Sequence, residues 1–483
     1  MVKHMMAACM ACVLLSACAG LKQAPVSSVP TETKAEAQPE VKPEAKAEAE
    51  TKADPVADQL YAGTAKVDIT PEWAVISAEG ESFRLPDNLP TGDKIPPDNV
   101  NDSLEARVLV LKNKDVSLAV VAVDVSFFSS KRVVDEAKKQ FGLDHVILSS
   151  TNTHSGMVPR GLCPTDGGYE WVLAPEDPGV TLDWPGLSQD PWYAATEEKV
   201  IATIGEAVEN QFPARIAGGQ SPFESDYMAH NRRFVNPDGS VTMLWDNPNR
   251  IPTEPLDPTV RVVRVDDATG NPRAVVVHYA CHPAILMGAG WISRDFPGAA
   301  VDYIEETMGE SCMGMFLQGA CGDLDPYGTS MRGQEALETM KKAGVSLGEA
   351  AVSVAEALPP SEPGASLRVQ KNMVTVPYQT AEKSTQACVT TVVVGDELAL
   401  VTIPGIPFVQ LQLNLSEKSP VPNTLMLGLA YCGQGSPSLI YVPSLKAAKE
   451  GGHGASTCRF VSDDAGDRIV DAAVASINDL LAK

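Results

Sequence analysis

The sequence predicts an α/β fold in which a mixed β-sheet core is covered by α-helices. Two observations carry that expectation. Short apolar runs, of strand rather than helix length, recur along the chain at Leu104 to Lys112, Leu118 to Val125, His145 to Ser150, Val260 to Val265, Ala274 to Tyr279 and Met315 to Gln318. Longer segments with a helical period follow several of them, and strands that alternate with helices in this way build a sheet with helices on its faces.

Taken in order, the first two runs read as strands, and Ser130 then opens a helix over Lys131 to Lys139 as a side-chain cap. His145 to Ser150 is the next strand. The helical period returns over Ala194 to Asn210, Ala299 to Met308, Glu335 to Ala357 and Ala465 to Leu481, between and beyond the remaining strands. Val158 to Trp192 is different, because Pro, Gly, Asp, Trp and Tyr cluster there with no period. A loop of that length is either functional or a surface insertion, and its closeness to His154 favours a lid or substrate-contact loop. Gly344-Val-Ser-Leu-Gly348 has the spacing of a serine-hydrolase elbow but lies inside a helical run, where that chemistry has no strand-to-helix turn to sit on.

Three strands end in chemistry. His145 to Ser150 runs into Thr151-Asn-Thr-His-Ser-Gly156, Ala274 to Tyr279 runs into Cys281-His282-Pro283, and Met313 to Gln318 breaks into glycines before Asp323 and Asp325. Ligands of open α/β sheets bind in the crevice beyond the carboxyl ends of strands, so His154, His282, Asp323 and Asp325 are candidate site residues of metal-binding or acid/base type. Arg232 and Arg233 are suited to fork onto a carboxylate or phosphate, with a surface ion pair as the plainer alternative.

Together, Gly63-Thr-Ala-Lys-Val-Asp-Ile-Thr70, the Thr151 to Gly156 turn, Asn231-Arg232, His282-Pro283, Gln318-Gly-Ala-Cys-Gly-Asp323, Pro404-Gly405 and Tyr441-Val-Pro resemble, in order and spacing, the neutral ceramidase family of zinc-dependent amidases. The resemblance runs from about residue 61 to the C-terminus. It implies the N-terminal α/β domain of that family; the family's C-terminal immunoglobulin-like domain is not expected, because the chain ends too soon for one. It also implies a ligand set for zinc, and here the chain departs from the family: the four ligand positions read Asn152, His282, Ile406 and Tyr441, so two ligands are replaced. Asp325 stands at the position of the family's serine nucleophile, and His453 at that of a second active-site tyrosine. His154, the second histidine of the turn, Arg232 and Asp323 are retained.

Catalytic zinc takes three protein ligands and an open water position, and His282 with Tyr441 falls short of that. His154 shares a face with Asn152 and is the candidate third ligand. The candidate catalytic set is thus His154, Asp323, Asp325, Arg232 and His453, with His282, Tyr441 and His154 as candidate metal ligands, and Asp325 as ligand or general base. Two functions stay open: a divergent hydrolase of an amide or ester bond in a lipid or cell-envelope acyl substrate, and a catalytically silent envelope protein that keeps the fold for binding.

The N-terminus carries a short basic start, an apolar run too short to span a bilayer, and Leu15-Ser-Ala-Cys18. Residues 1–18 thus read as a lipoprotein signal, with Cys18 the lipidated first residue of the mature chain and an outer-membrane lipoprotein of a Gram-negative bacterium as the expected product, its domain in the periplasm or at the cell surface. Residues 19–58, dominated by Ala, Glu, Lys and Pro, cannot bury enough apolar surface to offset ordering and are expected to be a disordered tether, with a reach of about 35 Å. Residues 59–483 form the α/β domain. The net charge of −24 argues against nucleic acid as a partner. Of ten cysteines, Cys163, Cys281, Cys312, Cys321, Cys388, Cys432 and Cys458 remain in the domain. Cys281 and Cys321, beside two site segments, fit a disulfide, two buried thiols or soft metal ligands equally well.

Overall fold

A computed structural model describes residues 59–71, 100–157, 162–165, 168–171, 191–359, 364–379, 383–436, 438–457 and 459–483. The signal segment with Cys18, the tether over 19–58 and most of the expected lid over 158–192 lie outside the described residues. The described residues belong to one compact unit.

Nine strands form the principal sheet. In chain order eight of them are β1 (Tyr61–Asp68), β2 (Glu105–Lys112), β3 (Ser117–Val123), β4 (His145–Ser150), β5 (Phe212–Pro222), β6 (Thr259–Asp267), β7 (Pro272–Tyr279) and β8 (Met313–Gln318). The four strands of a second sheet follow, β9 (Leu367–Pro377), β10 (Ser384–Val394), β11 (Leu398–Thr402) and β12 (Asn423–Leu427), and β13 (Ala430–Tyr431) returns to the first sheet. The order of the large sheet is β8-β7-β6-β5-β1-β2-β3-β4-β13, and that of the small one is β9-β10-β11-β12. Both are mixed: β3 with β4, β7 with β8 and β11 with β12 run parallel, and the other pairs are antiparallel.

Seven helices are described: α1 (Lys131–Phe141), α2 (Pro191–Glu209), α3 (Asp295–Met308), α4 (Gly333–Ala357), α5 (Val409–Lys418), α6 (Leu445–Glu450) and α7 (Ala465–Leu481). Ser130 caps α1 as expected, accepting from the Val133 N–H at 3.0 Å. One boundary differs from expectation. Pro191 and Trp192 belong to α2 rather than to the loop before it, because Pro at the first helical turn loses no hydrogen bond and Trp192 is buried, its Nε1 donating to the Ile69 carbonyl at 2.8 Å.

The strand pattern dictates the layers. Successive side chains of a strand face opposite ways, so Ala106, Val108 and Val110 of β2 meet α1 and α2, while Leu109 and Leu111 meet the second sheet. In β7, Val275 and Val277 face α3 and α4, while Ala274 and Val276 face Leu398 and Leu425 across the sheet interface. The outer face of the small sheet packs on α5 and α7 through Val389, Val401, Leu415, Ile469 and Ile477. The molecule is thus helices, large sheet, small sheet, helices. Apolar runs without alternation were the sequence signature of this burial on both faces.

Residues 428–431 bring the two ends of the large sheet together. Gly428 N–H donates to the carbonyl of Gln318, at the end of β8, at 2.9 Å, and the Leu429 carbonyl accepts from Ser150, at the end of β4, at 3.3 Å. The segments that follow β4 and β8 therefore open into the same region.

Candidate active site

The turn after β4 is held from below. Asn152 adopts a left-handed φ of 67°, Thr153 Oγ1 donates to the Ser293 carbonyl at 2.8 Å, and Ser293 N–H returns a bond to the Ser155 carbonyl at 3.0 Å. A Cβ at Gly156 would stand 2.9 Å from the Asp124 carbonyl, so the chain needs glycine there. The turn is tied to the next by the His154 N–H, which donates to the Pro283 carbonyl at 3.0 Å.

His282 is fixed by the segment after β8. Its N–H and its Nδ1 both lie 3.0 Å from the Leu324 carbonyl, and Nδ1 is 3.3 Å from Asp325 Oδ1. Both neighbours of Nδ1 are acceptors, which assigns the proton to Nδ1 and leaves the lone pair on Nε2. Nε2 is buried and has no hydrogen-bond partner among the described residues. Burial first, then the nearby Arg232 and His154, hold the imidazole well below the usual histidine range, so it is neutral. The His154 ring lies 5.5 Å away, centroid to centroid.

Arg232 follows His230–Asn231, a short strand antiparallel to Leu324–Asp325. Its Nη2 donates to the Gly322 carbonyl at 2.7 Å and to the Tyr441 hydroxyl at 3.1 Å, and its Nη1 is 3.4 Å from Asp325 Oδ1. Burial opposes its charge, but Asp325 and Tyr441 outweigh burial and raise its pKa above the ordinary guanidinium value. The guanidinium also lies over the rings of Trp245 and Tyr441, at 5.4 and 5.5 Å. Gly322 has to be glycine for this, since a Cβ would sit 2.8 Å from the carbonyls of Ile406 and Pro407.

His453 completes the cluster, its ring 5.2 Å from both Tyr441 and Trp245. Burial, then Arg232, lowers it to about 4. The structure therefore brings His154, His282, Asp325, Arg232, Tyr441 and His453 into one site. Asp323 lies beside them in a different role, with Oδ2 accepting from Asn231 Nδ2 and Oδ1 from the Val409 N–H, both at 2.8 Å. It anchors Asn231 and the start of α5. Trp245 was missed at the sequence level. It is 46 % exposed while touching two site residues, and an aromatic between turn-rich segments was the one available signal.

Zinc is the metal that the resemblance implies, but the four ligand positions offer it little. The Asn152 amide nitrogen donates to Cys321 Sγ at 3.6 Å. Ile406 is in register with Tyr441 across a parallel pair and belongs to an apolar cluster with Cys321, Phe408 and Leu429. Tyr441 oxygen accepts from Arg232, and burial raises the phenol pKa although Arg232 works against it. Cys321 is pushed up to about 12 and Cys281 well above its usual value, both mainly by burial, so both are thiols. Neither is disulfide-bonded, whereas Cys388 pairs with Cys432. No group of three or more His, Cys, Asp or Glu side chains able to hold a metal occurs among the described residues. These residues do not fit catalytic zinc, which takes three protein ligands and an open water position.

No family model and no curated protein matches the chain. Among solved structures it is similar to neutral ceramidase from Pseudomonas aeruginosa, with a TM-score of 0.62 and 16% identity over 87% of this chain and 75% of that one. It is equally similar to a ceramidase complexed with C2, with a TM-score of 0.62 and 15% identity over 87% of this chain and 76% of that one. The chain has a ceramidase-like fold.

Proposed function

We propose that this chain is a divergent ceramidase-like hydrolase that cleaves an amide or ester bond in a lipid or cell-envelope acyl substrate. One observation carries the reading: a buried histidine, His282, whose Nδ1 is clamped between the Leu324 carbonyl and Asp325 and whose Nε2 lone pair is open. That is the arrangement of a general base, with the carboxylate fixing tautomer and orientation. The same cluster holds a phenol and a guanidinium, Tyr441 and Arg232, with Trp245 and His453 against them. The ceramidase-like fold supports the same reaction class, and the substrate class follows from it by analogy.

In this reading water is the nucleophile. Its oxygen attacks the acyl carbon as its proton passes to His282 Nε2, and the carbonyl π pair becomes an oxyanion. The carbon–nitrogen or carbon–oxygen bond then breaks, and the leaving atom takes the proton from His282. The products are a carboxylic acid and an amine or alcohol.

Lipidation of Cys18 belongs to the same proposal, since an enzyme tethered to a membrane meets acyl substrates there. A labelled fatty acid should enter the chain when it is produced in a Gram-negative host and should not enter Cys18→Ser.

The hydrolase reading is tested with the full chain in detergent micelles, offered N-acyl amides and acyl esters of graded chain length, with free acid as the readout. Turnover is expected, and His282→Gln should reduce it about 10²–10⁴-fold, the usual worth of a general base. Saturable binding of these compounds by the folded protein without release of acid would replace the hydrolase with a binding protein.

A further inference from the structure

We infer that the fixed cation of this site is the guanidinium of Arg232, not a metal ion, and that it acts by polarising the Tyr441 hydroxyl toward the acyl oxygen. The catalytic half of this inference rests on the hydrolase reading above, and the half that concerns metal does not.

Charge decides against the metal. If a divalent ion sat beside His282, the one donor with an unpartnered lone pair would be His282 Nε2, on a neutral imidazole. Asn152 presents its amide nitrogen to Cys321, and Ile406 offers only carbon. Asp325, the nearest carboxylate, already faces Arg232 at 3.4 Å and His282 at 3.3 Å. A bound divalent ion would therefore stay uncompensated in a buried place next to a guanidinium, which is a heavy electrostatic penalty. Burial opposes the guanidinium as well, but its partners outweigh that cost. Its charge is balanced by Asp325, and its Nη2 is saturated by Gly322 and Tyr441.

The geometry then gives Tyr441 a role. The phenolic oxygen accepts from Arg232, and no acceptor among the described residues takes its own proton. A hydroxyl that accepts from a cation is the stronger donor for it, because hydrogen bonds in a chain polarise one another. The position of Tyr441 is set by close contacts: Gly454 has a φ of 78°, and a Cβ there would stand 2.9 Å from the Tyr441 ring. As water attacks the acyl carbon and gives its proton to His282, the carbonyl oxygen gains the electron pair and the Tyr441 O–H donates to it. When the pair returns and the leaving group departs, the Tyr441 proton has never left its oxygen. Arg232 is a positioning residue, and Tyr441 is the one that touches the reacting atom.

The test has two independent arms. In the first, the full chain is equilibrated with zinc, freed of unbound metal and analysed for metal content beside His282→Ala. Zinc well below one ion per chain, with no difference between the two proteins, is expected; one ion per chain that is lost in His282→Ala overturns the inference, whatever the activity. In the second, hydrolysis is followed after chelation and in variants. Activity should survive chelators, and Tyr441→Phe should lose about 10²–10³-fold in kcat with little change in KM, as removal of an oxyanion donor does. Arg232→Ala should lose a similar factor and regain part of it with added guanidinium, a rescue that a merely structural arginine would not show. Activity abolished by chelators and restored by zinc, or an unchanged kcat in Tyr441→Phe, overturns the inference. If no acid is released by any protein, the hydrolase reading fails, and the metal arm still decides the first half.

Discussion

At Ile406 a branched hydrocarbon stands in register with Tyr441, within the apolar cluster that includes Cys321 and Phe408. A carboxylate there would face the same region and, in the absence of a metal, would be a buried unpaired charge costing about 3–5 kcal/mol. Two substitutions, Asn152→His with Ile406→Glu, supply both missing ligand types next to His282 and Tyr441. The double variant should unfold at a lower temperature than the parent without zinc and recover when zinc is added, while the parent shows no such recovery. Thermal unfolding with and without the ion reads this directly, and equal melting temperatures in both conditions would mean that the site has lost more than its ligands. At this scale the sequence spoke clearly through side chains at strand ends: His154, His282 and Asp325 are together because the chain turns just after apolar runs. It was silent about the carbonyls of Gly322 and Leu324, which hold Arg232 and His282, because a backbone oxygen leaves no trace in residue type. It also gave Asp323 and Asp325 similar weight. Only the fold shows that Asp323 accepts from Asn231 and from the Val409 N–H.

Among elements, the strands that could be read were those buried on both faces, such as Ser117–Val123 and Met313–Gln318. The small sheet escaped notice because Leu367–Pro377 is half-exposed along most of its length and mixes polar with apolar residues, while Ser384–Val394, though mostly buried, carries Thr390 and Thr391 within its apolar stretch, so neither has a continuous apolar run or strict alternation. Gly344-Val-Ser-Leu-Gly348, set aside as a catalytic motif, has a packing reason instead. A Cβ at Gly344 would lie 2.5 Å from the Phe296 carbonyl, and one at Gly348 would lie 2.9 Å from the Ala300 carbonyl. The two glycines let α4 approach α3 backbone to backbone. Gly344→Val should therefore separate the helices and cost about 1–3 kcal/mol, the range for overpacking. Ser346→Ala, on the same turn, should change activity no more than a surface substitution does. Denaturant midpoints compare the glycine variant with the parent, and an unchanged midpoint would show that the helices can part freely.

For the molecule as a whole, the two sheets are joined by more than apolar contact. The disulfide connects Cys388 of β10 in the small sheet to Cys432, next to β13 in the large one, and His278 of β7 donates from Nε2 to the Met426 carbonyl of β12 at 2.8 Å. His278 is fully buried, and burial, with Arg261 nearby, lowers its pKa to about 4. The unfolded chain has an ordinary histidine there, so as pH falls below about 6.5 the unfolded state takes up a proton that the folded state refuses. The stabilisation from a neutral His278 is complete above about pH 6.5 and is lost as pH falls through 4, on the order of 3 kcal/mol in all. Asp124 and Asp295 act in the opposite direction. Each is buried and raised to about 7, chiefly by burial, so each adds stability that is complete below the ordinary aspartate value and is lost as pH rises through 7. The pH profile of the parent protein alone is thus a sum of opposing terms, and a difference isolates the histidine. His278→Gln keeps a donor able to reach Met426 but cannot take up a proton, so between pH 7.5 and pH 5 the parent should lose about 2 kcal/mol more than the variant. Urea midpoints of both proteins at the two pH values measure that difference. If the gap between parent and variant is the same at both, protonation of His278 does not link the two sheets to pH.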